Sequence, residues 1–254
     1  MCTLAIYFRM LPDYPLVVAA NRDEQYDRPS APPQRLDTAP TIVAGRDLRA
    51  GGTWFGINRH GLLAAMLNRR ISGGHVLAPD ARSRGLLCMD LLARRSVAEA
   101  DSWLANHHAF YNPFTALVAD RSDASVSYNA GSKIVTERLQ PGLHVFSSAA
   151  DFDLRSTKAD RAYTLFGALA SALRRNQSAQ RDTIAALRSA LGDHSLPAGS
   201  SDRGDAICVH RESSGTVSSS IVFLSLAGSG FELFHCSGAP CENDFAESLD
   251  LKIQ

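Results

Sequence analysis

Apolar residues arrive first in short runs. Residues 3–9 are largely apolar, Pro12 and Asp13 mark a turn, and Leu16-Val17-Val18-Ala19-Ala20 is a second run, which together predict an opening β-hairpin. The proline-rich stretch from Arg28 to Pro40 reads as a loop, and Thr41–Gly45 as a short strand. Gly51–Asn58 and Leu62–Asn68, joined by the turn residues Asn58-Arg59-His60-Gly61, predict a second hairpin.

The pattern then changes period. Ser83 is placed to cap a helix carrying Leu86, Leu87, Leu91 and Leu92, and Ser96 with Glu99 has the spacing of a capping box for a helix through Trp103 and Leu104. Phe114–Ala119, Ser125–Tyr128 and Lys133–Thr136 read as strands of a meander, turning at 130–132 between the last two, with another strand at Gly142–Phe146. Ala162, Leu165, Phe166, Leu169 and Leu173 recur at helical spacing, as do Ile184, Leu187 and Leu191. The polar, Gly- and Ser-rich segment from His194 to Gly204 reads as a mobile loop. Ala206–His210, Ser219–Leu226 and Phe231–His235 return to β structure. Runs of strands alternating with runs of helices predict an α+β fold of antiparallel sheets covered by helices, in a single domain over 1–254.

Composition narrows the function classes. Of 254 residues, 45% are hydrophobic and 20% charged, and 26 Lys plus Arg balance 26 Asp plus Glu, so no global field favours nucleic acid or an anionic membrane. No apolar run approaches the roughly 18 residues of a membrane span, and the start has no basic, apolar signal pattern; the expectation is a cytoplasmic protein without an integral membrane segment. The five cysteines, Cys2, Cys88, Cys208, Cys236 and Cys241, are odd in number and lack CxxC spacing, which argues for reduced thiols rather than a disulfide frame or a zinc site. No metal is expected. The chain also lacks a Gly-rich phosphate loop of the P-loop or dinucleotide type.

One position carries chemistry of its own. Removal of Met1, plausible before so small a side chain, would leave Cys2 with both a thiol and a free α-amine. Their ordinary pKa values are about 8.5 and about 8, so near neutral pH the amine can serve as the base for the thiol. By position alone, a cysteine opening an apolar strand is more often a small buried hydrophobe. Asn21-Arg22-Asp23-Glu24 follows the second run, and the opening hairpin would fold Asp23 back near Cys2.

Met1-Cys2-Thr3, Asn21-Arg22-Asp23-Glu24, Arg28-Pro29, Gly51-Gly52-Thr53-Trp54-Phe55-Gly56-Ile57 and Gly61-Leu62-Leu63-Ala64-Ala65-Met66-Leu67-Asn68 together resemble the NRDE family, also called the transport and Golgi organisation protein 2 family. That family is similar in its N-terminal pattern to the cysteine N-terminal-nucleophile hydrolases. The resemblance implies a four-layer αββα fold with antiparallel sheets. It implies Cys2 as nucleophile, Asp23 as the carboxylate that orients the amine, and Asn68 at the place of an oxyanion-hole asparagine. Asn21, Arg22 and Trp54 are the candidate ligand-binding residues. Three departures stand out: the hydrolases place an arginine a few residues before the aspartate, where this chain has Ala20 and its neighbours, a later asparagine of the hydrolases falls at Ser148, and an arginine before the C-terminal core strand falls at Val217.

Each of these residues has a plainer role open to it. Asn21 could cap a turn leaving the strand, Asp23 could pair with Arg22 or Arg46, Asn68 could close a hairpin, and Trp54 could be core. Function divides accordingly. One class is a cysteine amidohydrolase or acyltransferase acting on a small-molecule amide or thioester, with no cofactor required. The other is a non-catalytic protein that binds a small-molecule ligand, either an acyl compound or haem as transported cargo, since family members are associated with haem trafficking and acyl-coenzyme A homeostasis.

Overall fold

The computed structural model describes residues 2–69, 78–107, 110–130, 133–148, 156–175, 180–227 and 230–253; Met1 and residues 131–132 of the expected turn lie outside them. Two antiparallel sheets face each other. Strands β1 (Thr3–Phe8), β2 (Leu16–Gln25), β10 (Gly142–Ser147), β11 (Ser214–Leu224), β12 (Gly230–Ser237) and β13 (Leu249–Lys252) form the first, in the order β10-β1-β2-β11-β12-β13. The second is a simple meander of β3 (Ser30–Leu36), β4 (Ile42–Asp47), β5 (Phe55–Asn58), β6 (Leu63–Asn68), β7 (Phe114–Ala119), β8 (Ala124–Ala130) and β9 (Lys133–Arg138).

Helices cover both outer faces. α1 (Arg84–Leu92) and α2 (Val97–Ala105) lie on the meander, and α3 (Thr157–Arg175) and α4 (Gln180–Leu191) lie on the first sheet, which makes four layers in the order αββα. The strand sequences require this. In β1, Leu4, Ile6 and Phe8 enter the core between the sheets while Ala5 and Tyr7 enter the core under α3 and α4. In β6, Leu63, Ala65 and Leu67 point inward between the sheets and Ala64 and Met66 meet α1 and α2. Strands buried on both faces lose the alternation of a half-solvated sheet and read as continuous apolar runs.

Local signals are met closely at the helix starts. Ser83 accepts a hydrogen bond from the Gly85 amide, and Ser96 accepts one from the Glu99 amide at 3.2 Å. Glu99 reaches back to the amide of Arg95 at 2.9 Å, one residue short of a reciprocal box. Asn58 ties the second hairpin to α1, its side-chain oxygen accepting from the His60 and Leu62 amides and its nitrogen donating to the Leu92 and Arg94 carbonyls. Gly52 is needed for close approach: a Cβ there would lie 2.2 Å from the Gly85 carbonyl carbon, where the loop before β5 packs on the start of α1.

Three segments differ from expectation. The proline-rich stretch contains β3, which tolerates Pro32 and Pro33 because it is an edge strand whose register shifts between Ala31 and Gln34. Residues 206–210 form no strand beyond an isolated bridge from His210 to Gly215, and the segment before them carries a 3-10 turn at Arg203–Asp205. β13 carries only four residues, too short and weakly patterned for the sequence to predict a strand there. No helix among the described residues is long and apolar enough to cross a membrane, a statement that does not bear on β-barrels.

A buried histidine gives the fold a pH-dependent term. His235 on β12 is 8% exposed, its Nδ1 3.0 Å from the Ser220 hydroxyl, and burial lowers its pKa from 6.5 to about 4. The unfolded chain therefore takes up a proton that the folded chain refuses, so stability present above pH 6.5 is lost as pH falls toward about 4. The loss should reach about 3 kcal/mol at most. Urea unfolding at pH 7 and pH 4.5 should show a shallower decline for His235→Gln than for the wild type; equal declines would remove this residue from the account.

Candidate active site

The hairpin of β1 and β2 pairs Thr3 with Asn21, and β10 pairs Ser147 with Thr3 from the other side, so Cys2 is held between the strand carrying Asp23 and the end of β10. Its backbone nitrogen donates to the Ser148 hydroxyl at 2.7 Å, and the Ser148 amide donates to the Cys2 carbonyl at 3.2 Å. The Cys2 sulfur lies 3.9 Å from the Asp23 carbonyl oxygen. Ser148, the position of an apparent departure, is thus the residue that receives the Cys2 nitrogen. Burial pushes the thiol above its ordinary pKa; Asp23 adds to this and Lys158 opposes it.

Asp23 lies behind Cys2 in a buried polar network. Its Oδ1 accepts from the Thr216 hydroxyl at 2.7 Å, and its Oδ2 lies 3.2 Å from the Lys158 ammonium. Lys158 is fully buried on α3 and also donates to the Gly204 carbonyl at 3.3 Å. The cation placed on Asp23 is therefore this lysine, on a different layer from the Arg22 and Arg46 that the sequence offered. Thr216 precedes a bulge in β11: Thr216 pairs with Asp23 and Ser218 with Arg22, leaving Val217 as the extra residue.

Strand alternation separates the rest of the tetrad. Asn21 shares Asp23's face and is buried, its amide nitrogen donating to the carbonyls of Leu191 and Ile207 and its oxygen accepting from Ser219. Those bonds bind β2 to α4 and to the segment before β11. Arg22 points the opposite way, into the space between the sheets, with its guanidinium 4.2 Å from the Trp54 ring centre. It donates to Ser30 at 3.2 Å and lies 3.6 Å from Asp47, while burial lowers its pKa. Asp47 is held below the usual carboxylate range: burial opposes this, but the Ala50 and Arg49 amides and the Arg28 guanidinium prevail.

Cys2, Arg22, Asp23, Trp54 and Asn68 all line one open cleft of about 390 Å³, which Arg84 also lines. A narrower, mainly apolar recess runs from Cys2 between the sheets, past Leu4, Phe55 and Leu67. Asn68, at the exposed end of β6, thus shares the cleft with Cys2. Lys158 and Thr216 are the site residues that sequence reasoning missed. A faint signal existed for Lys158, which stands four residues before Ala162 and eight before Phe166, on the apolar stripe of α3 where a charge needs a buried partner. Among the described residues, the group able to hold a metal ion lies elsewhere, around His194.

Solved structures share this arrangement of layers. A mutant of the conjugated bile acid hydrolase from Clostridium perfringens matches with a TM-score of 0.63 at 12% identity, covering 100% of this chain and 97% of that one. Penicillin V acylase from Agrobacterium tumefaciens matches at 0.57 and 13% identity, over 100% and 99% of the two chains. The fold is accordingly that of the N-terminal-nucleophile hydrolases, in its four-layer α+β form. The chain belongs to the Transport and Golgi organisation 2 family, whose model matches residues 1–230. The mouse Transport and Golgi organization 2 homolog is 34% identical over 146 residues, 54% of this chain and 51% of that protein. The human homolog is 36% identical over 121 residues, 44% and 41% respectively. The chain spans about half the length of the curated relatives it matches.

Proposed function

We propose that this chain is a cysteine amidohydrolase or acyltransferase for a small-molecule amide or thioester, with Cys2 as nucleophile after removal of Met1. The observation that carries the reading is the Cys2 sulfur at the cleft wall, beside Asp23 and with its own nitrogen held by Ser148. Because burial raises the thiol's pKa, the sulfur needs a base at the moment of attack, and the freed α-amine is bonded to the same residue. The sulfur adds to the acyl carbon as the amine takes its proton. The C–N or C–S bond then breaks, the amine hands that proton to the leaving group, and a thioester remains on Cys2. Water or another acceptor attacks the thioester, giving its proton to the amine, which returns it to sulfur. Asn68 supplies an amide donor to the oxyanion, and Arg22 and Trp54 form the wall against which the acyl part rests.

Lys158 gives Asp23 a further role in this scheme. Its ammonium, 3.2 Å from the carboxylate, and the Thr216 hydroxyl hold Asp23 in place, so that it can orient the amine.

A second reading, ligand binding without reaction, draws on the four arginines of the cleft, Arg22, Arg28, Arg82 and Arg84, which suit the carboxylates of haem or the anionic head of an acyl ligand. One experiment separates the two. Untagged protein is checked by intact mass for loss of Met1, then treated with an iodoacetamide and a chromogenic acyl ester, beside a haem titration. The enzyme reading expects Cys2 to be labelled faster than Cys88 and Cys208, with acyl transfer abolished in Cys2→Ala. Labelling no faster than at those buried thiols, or retention of Met1, sinks it. A Soret shift in the wild type that is lost in Cys2→Ala, without acyl transfer, favours carriage instead.

A further inference from the structure

On the far side of the first sheet, four side chains from two connections of the chain converge. His194 follows α4, Cys208 and His210 precede β11, and Cys241 follows β12. One donor atom from each lies within 4.8 Å of all the others. The two sulfurs are 3.6 Å apart, the Cys208 sulfur is 3.6 Å from His210 Nε2, and that nitrogen is 3.3 Å from the Cys241 sulfur.

We propose that His194, Cys208, His210 and Cys241 form a tetrahedral zinc site. With Zn–S near 2.3 Å and Zn–N near 2.0–2.1 Å, the edges of such a tetrahedron are about 3.8 Å for S–S and about 3.6 Å for S–N. The 3.6, 3.6 and 3.3 Å edges of this cluster fall within a few tenths of an ångström of these. A disulfide is the competing use of two close sulfurs, but their separation is well beyond the bonded length of about 2.05 Å, and it would leave both imidazoles without a purpose.

The donor set selects the ion. Two thiolates balance the charge of one divalent cation, and a mixed sulfur and imidazole set of four suits zinc rather than magnesium or calcium. The surroundings also resemble an outer shell. His194 Nδ1 lies 3.2 Å from the Cys208 carbonyl, which fixes the N–H there and leaves the lone pair on Nε2. The cysteine spacing carried no hint of this, because the ligands are 14, 2 and 31 residues apart in the chain.

The position gives the ion something to hold. Cys208 and His210 flank Val209, whose amide donates to the Thr216 hydroxyl at 2.9 Å and whose carbonyl accepts from the Thr216 amide at 2.8 Å. Thr216 in turn donates to Asp23. The metal thus clamps the segment that seats Thr216, in a region with little regular structure of its own. Its role is structural, and it stands whether or not Cys2 is a nucleophile.

The test uses the full untagged chain, fully reduced, stripped of metal and titrated with Zn²⁺ and, separately, Co²⁺. One ion per chain is expected, with the strong visible bands of tetrahedral cobalt and thiolate-to-cobalt charge transfer. Cys2→Ser should bind identically, which keeps this result separate from the fate of the enzyme reading. Cys241→Ser, at an exposed position, should weaken binding by more than the roughly 10–100-fold that loss of an outer-shell partner costs, and His210→Ala should do likewise. Circular dichroism checks that both variants fold. Substoichiometric metal, a weak octahedral cobalt spectrum, or unchanged binding in folded Cys241→Ser would each overturn the site.

Discussion

Exchanging Lys158 for methionine is expected to cost about 3–5 kcal/mol of stability, the range for removing one partner of a buried ion pair. The cost arises because Asp23 stays buried, with its carboxylate against Thr216 but without this ammonium. A buried pair is worth little against well-packed neutral groups, so the double variant Lys158→Met with Asp23→Asn should recover most of the loss. The asparagine oxygen still accepts from Thr216, and methionine fills the lysine's path under α3. Stability and reactivity should then part company. On the proposed mechanism the double variant removes the carboxylate that orients the α-amine, so acyl transfer at Cys2 should stay slow while the unfolding midpoint returns. Chemical denaturation together with acyl-ester turnover measures both. A single variant within about 1 kcal/mol of the wild type would mean that the pair is not the buried element described here.

Blocking the Cys2 amine while leaving its thiol intact should reduce acyl transfer by about 10²–10⁴-fold, the worth of a positioned general base. A chain with one uncleaved residue ahead of Cys2 does this without touching the fold. Cys2→Ala should go further, on the order of 10⁴-fold or more, since in the proposed scheme the acyl group is carried by the Cys2 sulfur. The amine-blocked chain should also shift its rate optimum to higher pH, because the thiol must then ionise unaided against the burial that raises its pKa. Equal rates with and without the extra residue would show that the amine is not the base and would leave binding as the surviving reading.

The contrast between what could be read along the chain and what could not follows from the range of the forces involved. Helix caps, turns and apolar periodicity are local, so Ser83, Ser96, the Asn58 turn and both early hairpins were legible from neighbours a few residues away. Cys2 and the Asn21–Glu24 tetrad stood out for the same reason: their residue types and spacing carry the chemistry. Which sheet each strand joins was not local. β10 reads like the next turn of the meander, yet it crosses to the first sheet and pairs with β1, because only there can Leu143 and Val145 pack against α3 and α4. The partners of Asp23 come from 135 and 193 residues away. The proposed zinc ligands likewise meet only because α4, β11 and β12 end at one place. Periodicity and capping specified the elements and the nucleophile's candidate; burial of both strand faces, satisfied only when four layers close on one another, decided what stands next to it.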